Sequence, residues 1–433
     1  MVAMDPTLPE NSEEPLTLAE VLDLSLKNNP QTQITWAEAR GAAANYAGSQ
    51  SADFPTLSGL GYYDRSKSPT LFKGSVDTPT VSTSFLTQWG PQLNLAYTIY
   101  DFGQAKATSE TALFALYFAN WTHNRAFQTV IQTVTSDYYD YLYQKALLQA
   151  YEADIKDAKT TLEAAQIGLQ SGVKDVSDTI QAQTQLLQFQ IQWVGQKQVI
   201  HVSYAQLLTD MGLPSDLKYK MQHLPLSLPQ KKELKDVDEL LTIAMDHRPD
   251  LLAARADLKS KEENVKAARL QFFPTITYDL EVEKSYFFNG SLRDDNDWNS
   301  IFSLNIPIFS GFSTLNSVRT AKSSKKQARA NLKALELSVI QEITNAHSDV
   351  FVAYETIQYA QALLESAEKQ YRIALSQYRV GVNTILDVLS AQTALADARA
   401  KKISSLTQWY TSLSTMSYAT GIISPITPPE EEL

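Results

Sequence analysis

The chain contains no cysteine. That excludes a structural disulfide and a Cys-ligated metal centre within this sequence, a lipid-acylated N-terminal Cys is not expected, and the absence suits an oxidising compartment. No run of about 18 to 20 apolar residues occurs, so no transmembrane helix is expected. The longest uncharged stretch, Thr78 to Tyr100, is rich in Thr, Ser, Gln and Asn, so a membrane role would have to come through β-strands. Positive charge is also short: a net charge of −11 leaves no basic stripe and argues against a nucleic-acid partner. The histidines (His123, His201, His223, His247 and His347) are scattered, with no second His or Cys at ligand spacing. There is no G-x-S-x-G, P-loop or dinucleotide fingerprint. No enzyme activity, cofactor or metal is therefore expected. Proline is missing between Pro91 and Pro214 and between Pro307 and Pro425, and such spans read as helix. The polar, acidic segment Met1 to Glu14 lacks the basic and apolar regions of a signal peptide, so an export signal, if the protein has one, is expected to be absent from this chain.

What is present is a duplication. Residues 18–56 match 237–275 at an offset of 219, setting Pro30 on Pro249 and Phe54-Pro55-Thr56 on Phe273-Pro274-Thr275. From Trp89 to Gly212 the offset is 209, with Gly172 on Gly381, Asp178 on Asp387 and Gly212 on Gly421. Only the segment between about 57 and 88 differs in length. A repeat that admits an indel in one loop and none along the rest implies a long rigid unit with the variable loop at one end. The expected divisions are a first repeat at 16–212, a linker at 213–236, a second repeat at 237–421 and a tail at 422–433.

In the second repeat Ile343, Ala346, Val350, Ala353, Ile357, Ala360, Leu364, Ala367, Tyr371, Ala374 and Tyr378 recur at steps of three and four. This heptad seam implies a left-handed coiled coil. The aligned seam of the first repeat, from Val134 to Leu169, is interrupted by Asp137 and Gln144. A helix from about Gln104 to Ser171 would extend about 100 Å. Gly172 and Gly381 stand where helix C-caps belong, and new helical patterns begin near Asp178 and Asp387, so each repeat reads as an antiparallel hairpin whose return helix is about half as long.

Before each hairpin lie segments of period two. Leu93, Leu95, Tyr97 and Ile99 alternate with Gln92, Asn94, Ala96 and Thr98, and Ile276, Tyr278, Leu280 and Val282 alternate with Thr, Asp and Glu. Phe302, Leu304, Ile306 and Ile308 repeat the pattern, and Thr56 to Arg65 is a weaker version containing Gly. Strands of about ten residues with one apolar face and flanking aromatics fit a transmembrane barrel, with a soluble one-faced sheet as the alternative. Four strands cannot close a barrel, and open edges in lipid leave backbone groups unpaired, so other copies must complete it.

These features together resemble the TolC-like outer-membrane efflux protein family. The likeness rests on Leu-Thr-Leu-Ala-Glu at 16–20, Asn29-Pro30 and Arg248-Pro249-Asp250, the joints Phe54-Pro55 and Phe273-Pro274, Tyr100-Asp101-Phe102-Gly103 and Ile306-Pro307-Ile308-Phe309-Ser310-Gly311, and Tyr378-Arg379-Val380-Gly381 with Ile385-Leu386-Asp387-Val388-Leu389. The resemblance implies a mainly α protein with a transmembrane β-barrel: a homotrimer whose four strands per protomer close a 12-stranded barrel in the lipid of the bacterial outer membrane. Internally duplicated coiled-coil hairpins would continue it through the periplasm. It further implies a passive channel that docks on a periplasmic adaptor and an inner-membrane pump, in tripartite efflux or type I secretion. The competing function is a soluble coiled-coil scaffold, which the period-two segments disfavour. Residues 213–250, with the stretch near Pro425, are expected to belt the tunnel, and loops at about 66–88 and 285–297 to face outside.

The resemblance places a gate at Asp387, Asp178, Tyr378, Asn383 and Ser390. The last two stand where the best-known family member has an Arg and a second Asp, which puts a salt-bridge latch and a doubled acidic ring in doubt here. Each Asp also has a plainer reading as a helix N-terminal cap, and Tyr378 as the last seam residue in the core. Leu169, Gly172, Val173, Val380, Gly381 and Val382 form the tips, which the resemblance assigns to adaptor docking and which are first of all turn residues. The acidic residues Glu430, Glu431 and Glu432 read as a solvated end.

Overall fold

The computed structural model describes residues 15–73, 79–224, 236–288 and 295–423. Its elements repeat at the two offsets found in the sequence. Helices α1 (Leu18–Asn28) and α2 (Pro30–Ser49) recur as α5 (Val237–His247) and α6 (Pro249–Leu270), and strands β1 (Thr56–Lys73) and β2 (Pro79–Tyr100) as β3 (Thr275–Phe287) and β4 (Asp295–Asn305). The long helices α3 (Gln104–Gln170) and α7 (Ser313–Arg379) have 67 residues each. Their return helices α4 (Val176–Asp210) and α8 (Ile385–Thr420) have 35 and 36. The chain divides into a helical unit (Met1–Ala37, Asn120–Leu252, Lys333–Leu433) and a sheet unit (Glu38–Ala119, Ala253–Leu332).

In the helical unit the α7 seam is buried almost throughout: Ile343, Val350, Ile357 and Tyr378 are each at most 2 % exposed. The seam of α3 is looser, because Gln144 takes part in a polar contact in which Gln196 Nε2 donates to its side-chain oxygen at 2.8 Å. Large residues alternate with Ala, which lets the helices approach and buries apolar area worth about 25 cal/mol per Å². The duplication extends to individual bonds. Gly212 (φ 74°) packs on the backbone of Asn28 and Asn29, and Gly421 (φ 73°) on Arg248; a Cβ at either would collide or press on those atoms. Asn29 Nδ2 donates to the Asp210 carbonyl at 2.7 Å, and the aligned Arg248 Nη1 donates to the Ala419 carbonyl at 3.0 Å. The second copy adds charge: the buried Arg248 pairs with Asp250 at 2.6 Å and Glu342 at 2.7 Å. Leu16 bridges Met221 in a parallel fashion, tying the start of the first repeat to the linker.

In the sheet unit the strands run β1-β2-β3-β4, all antiparallel. Register puts Leu57, Leu95, Leu280 and Ser300 in one row, and Tyr63, Trp89 and Tyr286 in another. Trp89 stacks on Tyr286 at 4.7 Å, and Tyr278 lies 4.7 Å from Phe302 in a lower aromatic row. The opposite face holds Asp64, Asp279, Glu281, Glu283, Asp295 and Asp297, and among the described residues no Lys or Arg shares it. Tyr62 on β1 reaches across β2 to Glu283 and to Ser285 on β3. It crosses at Gly90, where a Cβ would stand 1.8 Å from the Lys284 carbonyl oxygen.

Three expectations change. The strands span 18, 22, 13 and 11 residues rather than about ten. Much of the expected loops at 66–88 and 285–297 is therefore strand, with 74–78 and 289–294 outside the described residues. β4 stops at Asn305, before Ile306 and Ile308, because Pro307 cannot donate to a ladder. Residues 225–235 of the linker, 424–433 of the tail with Pro425 and the Glu430–Glu432 run, and 1–14 also lie outside the described residues.

Candidate gate at the hairpin tips

Each tip is a helix end closed by glycine. Gly172 has φ 74° and Gly381 φ 82°, a left-handed conformation that costs Gly no Cβ clash. The amide of Val173 donates to the Gly168 carbonyl at 3.0 Å, and that of Val382 to the Gln377 carbonyl at 2.9 Å, so both turns close over the last helical carbonyls in the same way. Val173, Val380 and Val382 point outward and are 67, 74 and 71 % exposed, while Leu169 is half-buried.

The two aspartates occupy the third position of their helices but do different things. Asp387 closes a capping box: its Oδ2 accepts from the Thr384 amide at 2.9 Å and hydroxyl at 2.7 Å, and the Thr384 hydroxyl accepts from the Asp387 amide at 3.3 Å. The bonds from the Thr384 side chain and backbone hold the Asp387 carboxyl below its ordinary range. Asp178 leaves capping to Asp175, whose side chain accepts from the Val176 amide. It instead accepts a 2.8 Å hydrogen bond from the Tyr378 hydroxyl, joining the two hairpins. Burial, then this bond to a carboxylate, pushes the Tyr378 hydroxyl up from its ordinary value, so it remains a donor at any physiological pH. Tyr378 is thus both the last seam residue and the donor of a hydrogen bond between the two hairpins.

Lys174, which sequence reasoning missed, lies across the same contact. Its Nζ stands 4.2 Å from the Tyr378 ring centroid and donates to the Asn383 carbonyl at 3.4 Å. Gly168 makes room for it, since a Cβ there would come within 2.5 Å of the Lys174 stem. A glycine inside a helical pattern, about 1 kcal/mol worse than alanine, was the available signal. Asn383 donates to Gln377 at 2.9 Å, where an Arg latch was doubted, and Asn383, Asp387 and the exposed Ser390 line a shallow groove with Lys369.

Above the tips a second polar layer clamps α3 to its partners. Arg399 on α8 bonds Asp154 at 2.5 Å and Asp157 at 2.8 Å, and the Tyr371 hydroxyl on α7 donates to the Asp157 carbonyl at 2.9 Å. Among the described residues no cluster of His, Asp and Glu could hold a metal ion.

A family model described as outer membrane efflux protein matches residues 21–213 and 240–422. A probable efflux pump outer membrane protein, TtgC of Pseudomonas putida, is 24 % identical over 391 residues, covering 88 % of this chain and 78 % of the relative. The outer-membrane channel OprN superposes with a TM-score of 0.84 at 18 % identity, over 93 % of this chain and 89 % of that one. VceC of Vibrio cholerae does so with a TM-score of 0.78 at 18 % identity, over 93 and 96 %.

Proposed function

The chain belongs to the outer membrane efflux protein family and is an exit duct from periplasm to exterior, and on that premise we propose that its hairpin tips are the gate, latched by Tyr378 on Asp178. Three copies close the barrel, since three times four strands is the twelve that the family resemblance implies. The apolar sheet face with its aromatic rows meets lipid and the acidic face lines the pore. The single observation that supports the gate is the 2.8 Å bond between the hairpins, beside which Lys174 lies over the Tyr378 ring. Opening is a parting of the hairpins that the duct does not power itself. A periplasmic adaptor and an inner-membrane pump supply the energy, with the adaptor meeting Leu169, Gly172, Val173, Val380, Gly381 and Val382. Asp178 and Asp387, repeated around the trimer, would ring the tips with carboxylates and favour cations, as the acidic sheet face would by itself.

Because the chain has no cysteine, Gly172→Cys and Gly381→Cys each introduce a single reactive thiol. Crosslinks from these positions to a co-expressed adaptor support the docking tip; crosslinks only from control positions on the sheet unit sink it. The gate is tested by the conductance of Tyr378→Phe.

A further inference from the structure

Three glutamines are buried among the described residues, and two of them tie helices together. Gln128 Nε2 donates to the Gly421 carbonyl at 3.0 Å, and Gln196 Nε2 donates to the Gln144 carbonyl at 3.0 Å. Gln392 on α8 makes no such bond. It is 1 % exposed, and neither its amide nitrogen nor its amide oxygen finds a partner among the described residues. Its counterpart at the offset of 209, Gln183 on α4, is exposed, so the same residue faces out in one copy and into the core in the other.

Helical spacing locates this side chain between the hairpins. Arg399 reaches from α8 to Asp154 on α3. Seven residues make two turns and return to the same face within about 20°, so Gln392, seven before Arg399, also faces α3. The helix α3 runs toward its tip and α8 away from its own, so the residue at the level of Gln392 is Thr161, seven beyond Asp154. Thr161 is fully buried, and its hydroxyl lies 3.1 Å from that of Tyr371 on α7, each reaching the Asp157 carbonyl. Gln392 thus lies about 10 Å below the Arg399 clamp, on the way to the bond between Tyr378 and Asp178. Its own helix supplies Val388, Ala391 and Leu395 to an apolar cluster with Ala165 and Ala182 of the first hairpin. A Leu or Met at 392 would extend that cluster. An amide that gives up its bonds to water there without replacement disfavours the closed arrangement instead.

We propose that Gln392 is the counterweight to the Tyr378 latch: an amide that regains hydrogen bonds only when the hairpins part, so that the closed tips are held by a narrow margin. The inference rests on the parting of the hairpins as the gate, and the test separates the two. Gln392→Met replaces the amide by an apolar chain of nearly the same length. The full-length variant is expected to unfold in detergent at a higher temperature than the wild type. Its effect on opening is read in planar bilayers in the Tyr378→Phe background, where the conductance steps are expected to be longer. Adding Gln392→Met there should cut the open fraction about tenfold per chain, back toward the wild type. A lower unfolding temperature for Gln392→Met would mean that the amide is bonded in the closed state, and would overturn the proposal. A higher temperature with no effect on the open fraction would mean that Gln392 stays buried as the duct opens, and would overturn it too. Wild-type conductance in Tyr378→Phe itself would overturn the gate, and the counterweight with it.

Discussion

Replacing Tyr378 by Phe keeps the ring in the seam and under Lys174 and removes only the hydroxyl that bonds Asp178. A hydrogen bond to a charged acceptor contributes about 1.5–3 kcal/mol. Asp178 is only half-buried, so the lower end applies. That loss shifts the balance between latched and parted hairpins about tenfold per chain, and the factors multiply if three chains open together. In planar bilayers Tyr378→Phe should give longer and larger conductance steps than the wild type. Asp178→Asn, which keeps an acceptor without the charge, should give a smaller change in the same direction. Tyr378→Phe combined with Asp178→Ala should do no more than the stronger single variant, because both remove one bond. Trimers of unaltered thermal stability with wild-type conductance in Tyr378→Phe, or effects of the two single variants that simply add, would refute the latch.

Gly90→Ala drives a Cβ into the Lys284 carbonyl and parts β2 from β3, so a loss of at least about 1–3 kcal/mol is expected in heat or denaturant unfolding in detergent. Asp387→Asn should lower cation preference while keeping the bond from Thr384, and Asp387→Ala should lower it and also raise amide exchange in the first turn of α8; equal exchange in both would contradict the capping box. Burial and the nearby Asp210 raise the Asp137 carboxyl to about 8. The folded state therefore holds a proton that the unfolded chain releases near pH 4, and this contribution to stability is full below that pH and lost as pH rises through about 8. Asp137→Asn should flatten the decline of the unfolding midpoint over that range, and an unaltered slope would remove Asp137 as its cause.

The repeat was legible because both copies keep their spacing, and the starts of the paired helices fall on the offsets of 219 and 209 found in the sequence. Gly172 and Gly381 were legible because their backbone needs are local. The strand lengths were not: beyond Tyr63 and Trp89 the first hairpin runs on through Arg65, Ser66, Lys67, Ser84 and Thr87 without a clean alternation of apolar and polar residues. The roles of Asp178 and Asp387 were not told apart, since both stand third in their helices; the capping box with Thr384 and the tertiary contact from Tyr378 separate them. Lys174 was signalled only indirectly, by Gly168 inside a helical pattern, and the bulge at Ile99 not at all, since it depends on the partner strand's register.

The most direct measurement is the reversal potential across a planar lipid bilayer under a salt gradient, with purified protein on one side. Small, long-lived conductance steps that reverse at a cation-selective potential are what a trimeric duct with an acidic lining and latched tips must produce. No insertion, or pores that prefer anions, would contradict it.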